Sequence, residues 1–296
     1  MSNNSIGKRI IIVVFFIIAL SFIPVSCSKQ DSKGELEEEI NVEPIKSIYQ
    51  WFDYLCSPEL GGRYSGSIGI GKAKEYICNV IGLSDSLEVR TFHTNKCEMS
   101  NILFHIEGVK DSIIVLGAHY DAYGYVNNTA LPGADDNMSG VAVLMRLVKL
   151  LQANKLQPEY DLDICFYDGE EIGRYGSWNY LSTSSKEIKM YINVDTCGNR
   201  DCGLGFYYDP TNPQLKEEFV SILPLLIGIK SKVANYNPVG YTTDCEPFAE
   251  RNVPYVSVMN SKSTGYNHTS YDIPSHISYR RINTISEVLY EYLKSL

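Results

Sequence analysis

Apolar residues follow two different patterns along this chain, one with helical spacing and one with the continuous runs typical of buried strands. Helical spacing covers 45–55, after which Gly61 and Gly62 break the pattern. A continuous apolar run such as 113–116, within the strand predicted over 112–117, is typical of a strand that is buried on both faces. The predicted helices cover 45–55, 71–80, 140–155, 213–226 and a C-terminal amphipathic segment around 282–293, and the predicted strands cover 101–108, 112–117, 162–167, 190–194 and 254–259. This alternation predicts an α/β three-layer sandwich, with a mixed but mostly parallel central sheet flanked by helices.

The N-terminal segment is predicted to be an export signal. Lys8 and Arg9 precede an apolar run at 10–20 that is shorter than the ~20 residues of a membrane span. Cys27 and the polar stretch after it resemble a bacterial lipoprotein cleavage and lipidation site, although cleavage with release stays open because of Pro24. We therefore predict a signal peptide (1–26), a lipidated Cys27 with a flexible tether (27–43) and one domain (44–296). The protein is expected in the periplasm or at the cell surface, attached to the membrane through Cys27.

Composition excludes several classes of protein. With 44% hydrophobic and 21% charged residues, the chain is typical of a globular protein. Its 35 acidic against 26 basic residues give a net charge of −9, and no basic block follows residue 9, so a nucleic-acid partner is not expected. The eight cysteines contain no Cys-x-x-Cys pair. Cys197 and Cys202 could form a short disulfide or remain buried thiols, and both alternatives stay open.

Imidazole and carboxylate groups follow three of the predicted strands. In chain order these groups are His119 and Asp121, then Asp168, Glu170 and Glu171, then Asp195. Two further polar clusters lie at 133–137 and 267–269. Because ligands of open α/β sheets bind at the carboxyl ends of the strands, we expect these groups to converge on one site.

The chemistry of this set favours a metal. Nitrogen and oxygen donors without a thiolate suit zinc. Any one of these residues alone would be an ordinary surface or core residue, but five such groups at successive strand ends exceed the need of one tetrahedral ion. A pair of ions that share a carboxylate fits the set better.

Five ordered motifs resemble the secreted di-zinc aminopeptidases, a family that includes bacterial leucyl aminopeptidases and aminopeptidase Y. The motifs are Gly-Ala-His-Tyr-Asp (117–121), Pro-Gly-Ala-Asp-Asp-Asn-Met-Ser-Gly (132–140), Asp-Gly-Glu-Glu-Ile-Gly-Arg-Tyr-Gly-Ser (168–177), Asn-Val-Asp (193–195) and Tyr-Asn-His-Thr-Ser-Tyr-Asp (266–272). The segment 55–63 also resembles the family's N-terminal region, so the resemblance runs from about residue 45 to 296. It implies the zinc exopeptidase (phosphorylase/hydrolase-like) fold.

The resemblance implies a ligand set for two zinc ions per chain. In this set Asp135 bridges both ions, His119 and Asp195 complete one, and Glu171 and His268 complete the other. The peptide bond between Asp135 and Asp136 is expected to be cis.

The resemblance also implies the reaction, which is hydrolysis of N-terminal residues from peptides by a metal-bridging hydroxide. Glu170 is then the general base. Asp121, two residues from His119, is placed to accept the second N–H of that imidazole, and Asp272 could do the same for His268. Tyr241 could donate a hydrogen bond to the oxyanion or could serve packing alone.

Two segments depart from the family pattern. In 240–248, Thr243 and Cys245 stand where the family has Ser and His, and Arg174 stands where it has Leu. Glutaminyl cyclase or carboxypeptidase activity on the same scaffold and a non-catalytic binding role remain alternatives to the aminopeptidase.

Overall fold

The structure is a computed structural model that describes residues 43–238, 240 and 243–296. The predicted signal peptide, Cys27 with nearly all of its tether, and Tyr241 lie outside the described residues. No helix in the described ranges is long and apolar enough to cross a membrane.

Helices and strands alternate along the described chain. The helices are α1 (Ile45–Leu55), α2 (Ile68–Ile81), α3 (Gly140–Asn154), α4 (Tyr175–Thr183), α5 (Pro213–Ile222), α6 (Cys245–Glu250) and α7 (Tyr279–Ser295). The strands are β1 (Leu87–His93), β2 (Glu98–Ile106), β3 (Lys110–His119), β4 (Tyr125–Val126), β5 (Thr129–Ala130), β6 (Tyr160–Tyr167), β7 (Ile188–Val194), β8 (Leu204–Tyr208), β9 (Ser231–Asn235) and β10 (Tyr255–Asn260).

An eight-stranded mixed sheet forms the centre, in the order β1-β2-β6-β3-β7-β10-β8-β9. The four strands β6, β3, β7 and β10 are parallel neighbours. The pairs β1–β2, β2–β6 and β8–β10 are antiparallel, and β9 is parallel to β8. The carboxyl ends of the four parallel strands therefore meet at one edge.

Both faces of this sheet are covered by helices. Strand β3 alternates accordingly: Ile114 and Leu116 pack with α1, α2, α3, α5 and α7 in the larger core, whereas Ile113 and Val115 pack with α4 and α6. The predicted α/β three-layer sandwich with a mostly parallel mixed sheet is confirmed.

Local chemistry explains the differences in element bounds. Helix α2 starts before the predicted residue 71 because the Ser67 hydroxyl accepts the Ile70 N–H and caps the helix. The α-helix predicted over 213–226 ends at Ile222 and continues as a short 3-10 turn, Leu223–Leu225, because Pro224 has no N–H to donate.

The seven described cysteines are free thiols. Cys197 and Cys202 are both buried and unbridged, so the thiol alternative is the one that the structure shows.

Candidate active site

The carboxyl ends of the parallel strands open into one cavity of about 650 Å³. His119 is the last residue of β3, Asp195 directly follows β7, and Glu170 and Glu171 lie in the loop after β6. His268 comes from the loop after β10. All five line the cavity, as the strand-end argument predicts.

Asp136 lies between the two imidazoles. Its Oδ1 is 3.4 Å from His119 Nε2, and its Oδ2 is 3.3 Å from His268 Nε2. The amide Nδ2 of Asn267 donates to the same Oδ2 at 3.0 Å. One carboxylate therefore faces both histidines, one oxygen toward each.

Each imidazole has a second carboxylate next to it. His119 Nε2 is 3.7 Å from Asp195 Oδ1, and His268 Nε2 is 2.9 Å from Glu171 Oε2. Donor atoms of His119, Asp136 and Glu171 lie within 4.8 Å of one another. The residues thus form two histidine–carboxylate groups that share Asp136.

Several oxygens of this site are buried without a hydrogen-bond partner among the described residues: Glu170 Oε1, Glu171 Oε1 and Asp195 Oδ1. Unpaired buried carboxylate oxygens are costly unless they are protonated or bind a cation. Their arrangement around imidazole nitrogens is the donor set that zinc takes in proteins, so the residues fit a metal.

The prediction that Asp135 provides the shared carboxylate is wrong. The Asp135 side chain points away from the cavity, where its Oδ1 accepts the Gly198 N–H at 2.8 Å and its Oδ2 accepts the Asn260 Nδ2–H at 2.6 Å. Asp136, the next residue of the Ala134–Ser139 turn, is the one whose side chain faces the histidines. In this turn the cis peptide bond is Asp136–Asn137, not Asp135–Asp136.

Asp272 also differs from its prediction. Instead of orienting His268, its two oxygens accept the backbone N–H groups of Asp135 and Asp136, at 2.7 and 3.0 Å. These bonds fix the turn that carries Asp136.

Asp121 connects two parts of the site. Its carboxylate lies 3.6 Å from His119 Nδ1, which is closer to the Asp121 backbone oxygen, at 3.2 Å. The same carboxylate accepts the N–H groups of Glu170 and Glu171 at 3.2 and 3.1 Å. Its observed role is thus mainly to hold the Glu170–Glu171 loop against the end of β3, a role that sequence reasoning missed.

The surrounding charges shift the pKa of the site residues. Burial opposes a charge on His119, but the carboxylates of Glu170, Asp121 and Asp136 outweigh it and raise the pKa of this imidazole well above its usual value. Burial also disfavours the charge on Asp136, yet the two imidazoles lower its pKa below the ordinary range. The site therefore attracts positive charge strongly.

Burial raises the pKa of two further acids, Glu170 in the cavity lining and Asp244 behind it. Burial, followed by the charges of Asp244, Asp195 and Glu171, raises the pKa of Glu170 well above its usual value, although His119 opposes this. Burial likewise raises the pKa of Asp244 to about 7. Asp244 accepts the Ser177 hydroxyl through Oδ1. The strand-end argument could not find Asp244, which follows no central strand.

Buried polar residues outside the cavity hold the backbone segments next to its lining residues. The Arg63 guanidinium donates to four backbone oxygens, those of Leu55, Tyr120, Pro132 and Gly133. Asp168, a candidate on sequence grounds, does not line the cavity. It accepts the Ser65 hydroxyl at 2.7 Å and the Ser100 N–H at 3.1 Å.

An aromatic side chain that the sequence did not single out shapes the rim. The Tyr123 ring stacks on the His268 ring at 4.6 Å between centroids and lines the cavity. Its position two residues after Asp121, in the loop that follows β3, is the sequence signal that points to it. His268 itself has a left-handed backbone, with φ of 58°.

The family model described as Peptidase family M28 matches residues 101–293. The chain belongs to peptidase family M28. A "Probable leucine aminopeptidase" of Arthroderma otae is 27% identical to this M28 chain over 223 residues, which are 69% of the chain and 58% of that protein. The M28 chain thus spans little more than half the length of the curated relatives it matches.

Solved structures share the fold of the M28 chain at low sequence identity. A leucine aminopeptidase precursor from Bacteroides thetaiotaomicron has a TM-score of 0.69 and 17% identity, over 85% of this chain and 97% of that one. A glutaminyl cyclase from an Acidobacteriales bacterium has a TM-score of 0.71 and 22% identity, over 85% of this chain and 94% of that one. At these identities the likeness establishes the fold alone.

Proposed function

We propose that this protein is a zinc-dependent aminopeptidase that hydrolyses N-terminal residues from peptides. The observation that carries the proposal is the position of Asp136, whose two oxygens face two imidazoles that each have a further carboxylate. Membership of peptidase family M28 and relatives named as leucine aminopeptidases support it.

The two residue groups would hold two zinc ions. His119, Asp136 and Asp195 would bind one ion, and Asp136, Glu171 and His268 would bind the other. Bound zinc supplies Lewis acidity, which polarises a substrate carbonyl and makes water a stronger acid.

Glu170 is the general base of the proposed reaction. It lines the cavity, is only 7% exposed and has a carboxylate oxygen without a hydrogen-bond partner in the described part of the chain. Through that oxygen Glu170 takes the proton of the attacking water and later delivers it to the leaving amine. The Asp121 carboxylate accepts the backbone N–H of Glu170 and so holds Glu170 in place.

The size of the cavity suits exopeptidase action. A volume of about 650 Å³ suits a ligand of one or two amino-acid residues.

The test is hydrolysis of free and N-acetylated peptides by residues 28–296 loaded with zinc. We expect cleavage of free N-termini alone, and loss of that cleavage in Glu170→Gln with zinc content unchanged. Glu187→Gln is a matched control, because Glu187 is exposed at the amino end of β7, opposite the site.

Three other outcomes would contradict the proposal. Release of C-terminal residues from the acetylated peptides would indicate a carboxypeptidase. Loss of ammonia from glutaminyl peptides, with the peptide bonds intact, would indicate a glutaminyl cyclase. Zinc binding without turnover of any peptide would indicate a binding protein.

We also propose that the chain is exported and lipidated at Cys27. Mass spectrometry of the protein from the membrane fraction of its native host should show a lipid-modified Cys27 at the new N-terminus. An unmodified N-terminus in a soluble fraction would support cleavage with release.

A further inference from the structure

Arg174 lies in the wall of the active-site cavity, three residues after Glu171. Its guanidinium Nη1 is 3.0 Å from Glu246 Oε2 on α6. The other oxygen of Glu246 accepts the Gly240 N–H at 2.8 Å. The Arg174 side chain is 22% exposed and that of Glu246 10%, so the pair is fixed in the wall rather than solvated.

The charge of Arg174 distinguishes it from its surroundings. Among the described residues that line the cavity, it carries the one permanent positive charge, because His119 and His268 face the carboxylates of the proposed metal centre. The wall near Glu246 also includes Thr243, whose backbone oxygen accepts the Glu246 N–H. A cavity that selected only apolar side chains would gain nothing from this partly desolvated ion pair.

We propose that Arg174 determines specificity by binding a carboxylate of the substrate, with Glu246 holding the guanidinium in position. This inference rests on the proposed peptidase function. A guanidinium is a planar fork of N–H donors that matches the geometry of a carboxylate, and Arg174 contributes this group to the cavity wall. The substrate carboxylate has two possible sources, the side chain of an N-terminal acidic residue and the C-terminal carboxylate of a dipeptide.

Two peptide pairs separate these sources. Glu-Ala-Ala-amide and Gln-Ala-Ala-amide differ in the side-chain carboxylate, and Leu-Ala and Leu-Ala-amide differ in the C-terminal carboxylate. For one pair we expect the zinc-loaded protein to prefer the acid over the amide by about tenfold in kcat/KM, the effect of one charge-assisted hydrogen bond. Hydrolysis is measured by the release of the shortened peptide or amino acid, because cyclisation of a glutaminyl residue does not give this second product.

Substitutions at the ion pair distinguish recognition from a purely structural role. Arg174→Gln should bring the acid-to-amide ratio to about one, and Arg174→Lys should give an intermediate ratio. Glu246→Gln keeps a side-chain oxygen that can accept from Arg174 Nη1 and removes only the negative charge that opposes a substrate carboxylate, so it should increase the ratio. If the ion pair were purely structural, its loss in Arg174→Gln or in Glu246→Gln would lower the hydrolysis of all peptides and leave the acid-to-amide ratio unchanged.

Arg251→Gln is the matched control. Arg251 follows α6, is exposed and lies over the Trp178 ring rather than in the cavity wall. The Arg251→Gln substitution removes the same charge next to the same helix, so the acid-to-amide ratio should stay at the wild-type value.

Calorimetric binding of the four peptides to Glu170→Gln, with and without Arg174→Gln, gives a readout without turnover. If the wild type cleaves no peptide but binding depends on Arg174 and the carboxylate, the peptidase proposal fails and this inference holds. Equal binding and hydrolysis of acids and amides, a preference that survives Arg174→Gln, or no binding of any peptide would overturn it.

Discussion

Adjacent aspartates at positions 135 and 136 should respond in opposite ways to the same substitution. Asp136→Asn removes the carboxylate that faces both imidazoles, whereas Asp135→Asn changes a side chain that contacts neither. The first should therefore lose zinc, and the second should lose stability.

The cost of Asp135→Asn follows from its partners. An amide nitrogen at the position of Asp135 Oδ2 would face the amide nitrogen of Asn260, now a donor at 2.6 Å. Asn260 cannot turn over without loss, because its Oδ1 accepts from Arg281 at 3.2 Å. If the substituted side chain took the other orientation, its amide nitrogen would lie against the Gly198 N–H. One buried unsatisfied donor costs about 1–3 kcal/mol, which lowers Tm by roughly 2–12 °C in a domain of this size.

Zinc content and unfolding temperature test this pair together. Asp136→Asn should lose zinc affinity by at least about 100-fold, beyond the usual effect of a residue that merely supports a ligand. If Asp135→Asn loses zinc at an unchanged Tm, or Asp136→Asn keeps both zinc and activity, the assignment of Asp136 is wrong.

Three further predictions follow from the same contacts. Chelation of zinc should lower Tm, since a ligand at 100 times its Kd stabilises the folded state by about 2.7 kcal/mol, and an unchanged calorimetric Tm would contradict a metal centre built into the fold. Asp121→Asn should weaken zinc binding by about 10- to 100-fold, because the Asp121 carboxylate accepts the N–H groups of Glu170 and Glu171 and so holds the loop of Glu171. Competition with a chromogenic chelator measures this affinity, and wild-type affinity would show that the contact is dispensable. Thiol labelling at pH 8, mapped by mass spectrometry, should modify half-buried Cys97 in the folded protein but Cys197 only after unfolding. The reason is that burial shields the Cys197 thiol and raises its pKa to about 12. Rapid labelling of Cys197 in the native protein would contradict its burial.

The sequence predicted the centre of the sheet better than its edges. Strands β3, β6, β7 and β10 are rich in apolar residues because both of their faces are buried, and this richness predicts them. Strand β1, at one edge, alternates between exposed and half-buried positions, so it lacks this richness and was missed. The same holds for β9 at the other edge.

Site residues were predicted where they follow a central strand directly. His119, Glu171 and Asp195 all line the cavity, because the carboxyl ends of parallel neighbours meet. The choice between Asp135 and Asp136 could not be made in this way. It depends on partners at residues 198 and 260 that are far away in the chain, and no local pattern contains that information.

Arg63 makes a segment outside the family-matched region part of the site. The matched residues 101–293 include every proposed zinc ligand, but neither Arg63 nor Ser65. A chain cut back to that region would leave the backbone oxygens of Tyr120, Pro132 and Gly133 without the guanidinium that now joins them, next to His119 and the Asp136 turn. The smallest unit able to assemble the metal centre is therefore longer than the ligand motifs suggest, and a fragment designed from those motifs alone should carry all the ligands and still fail to hold zinc.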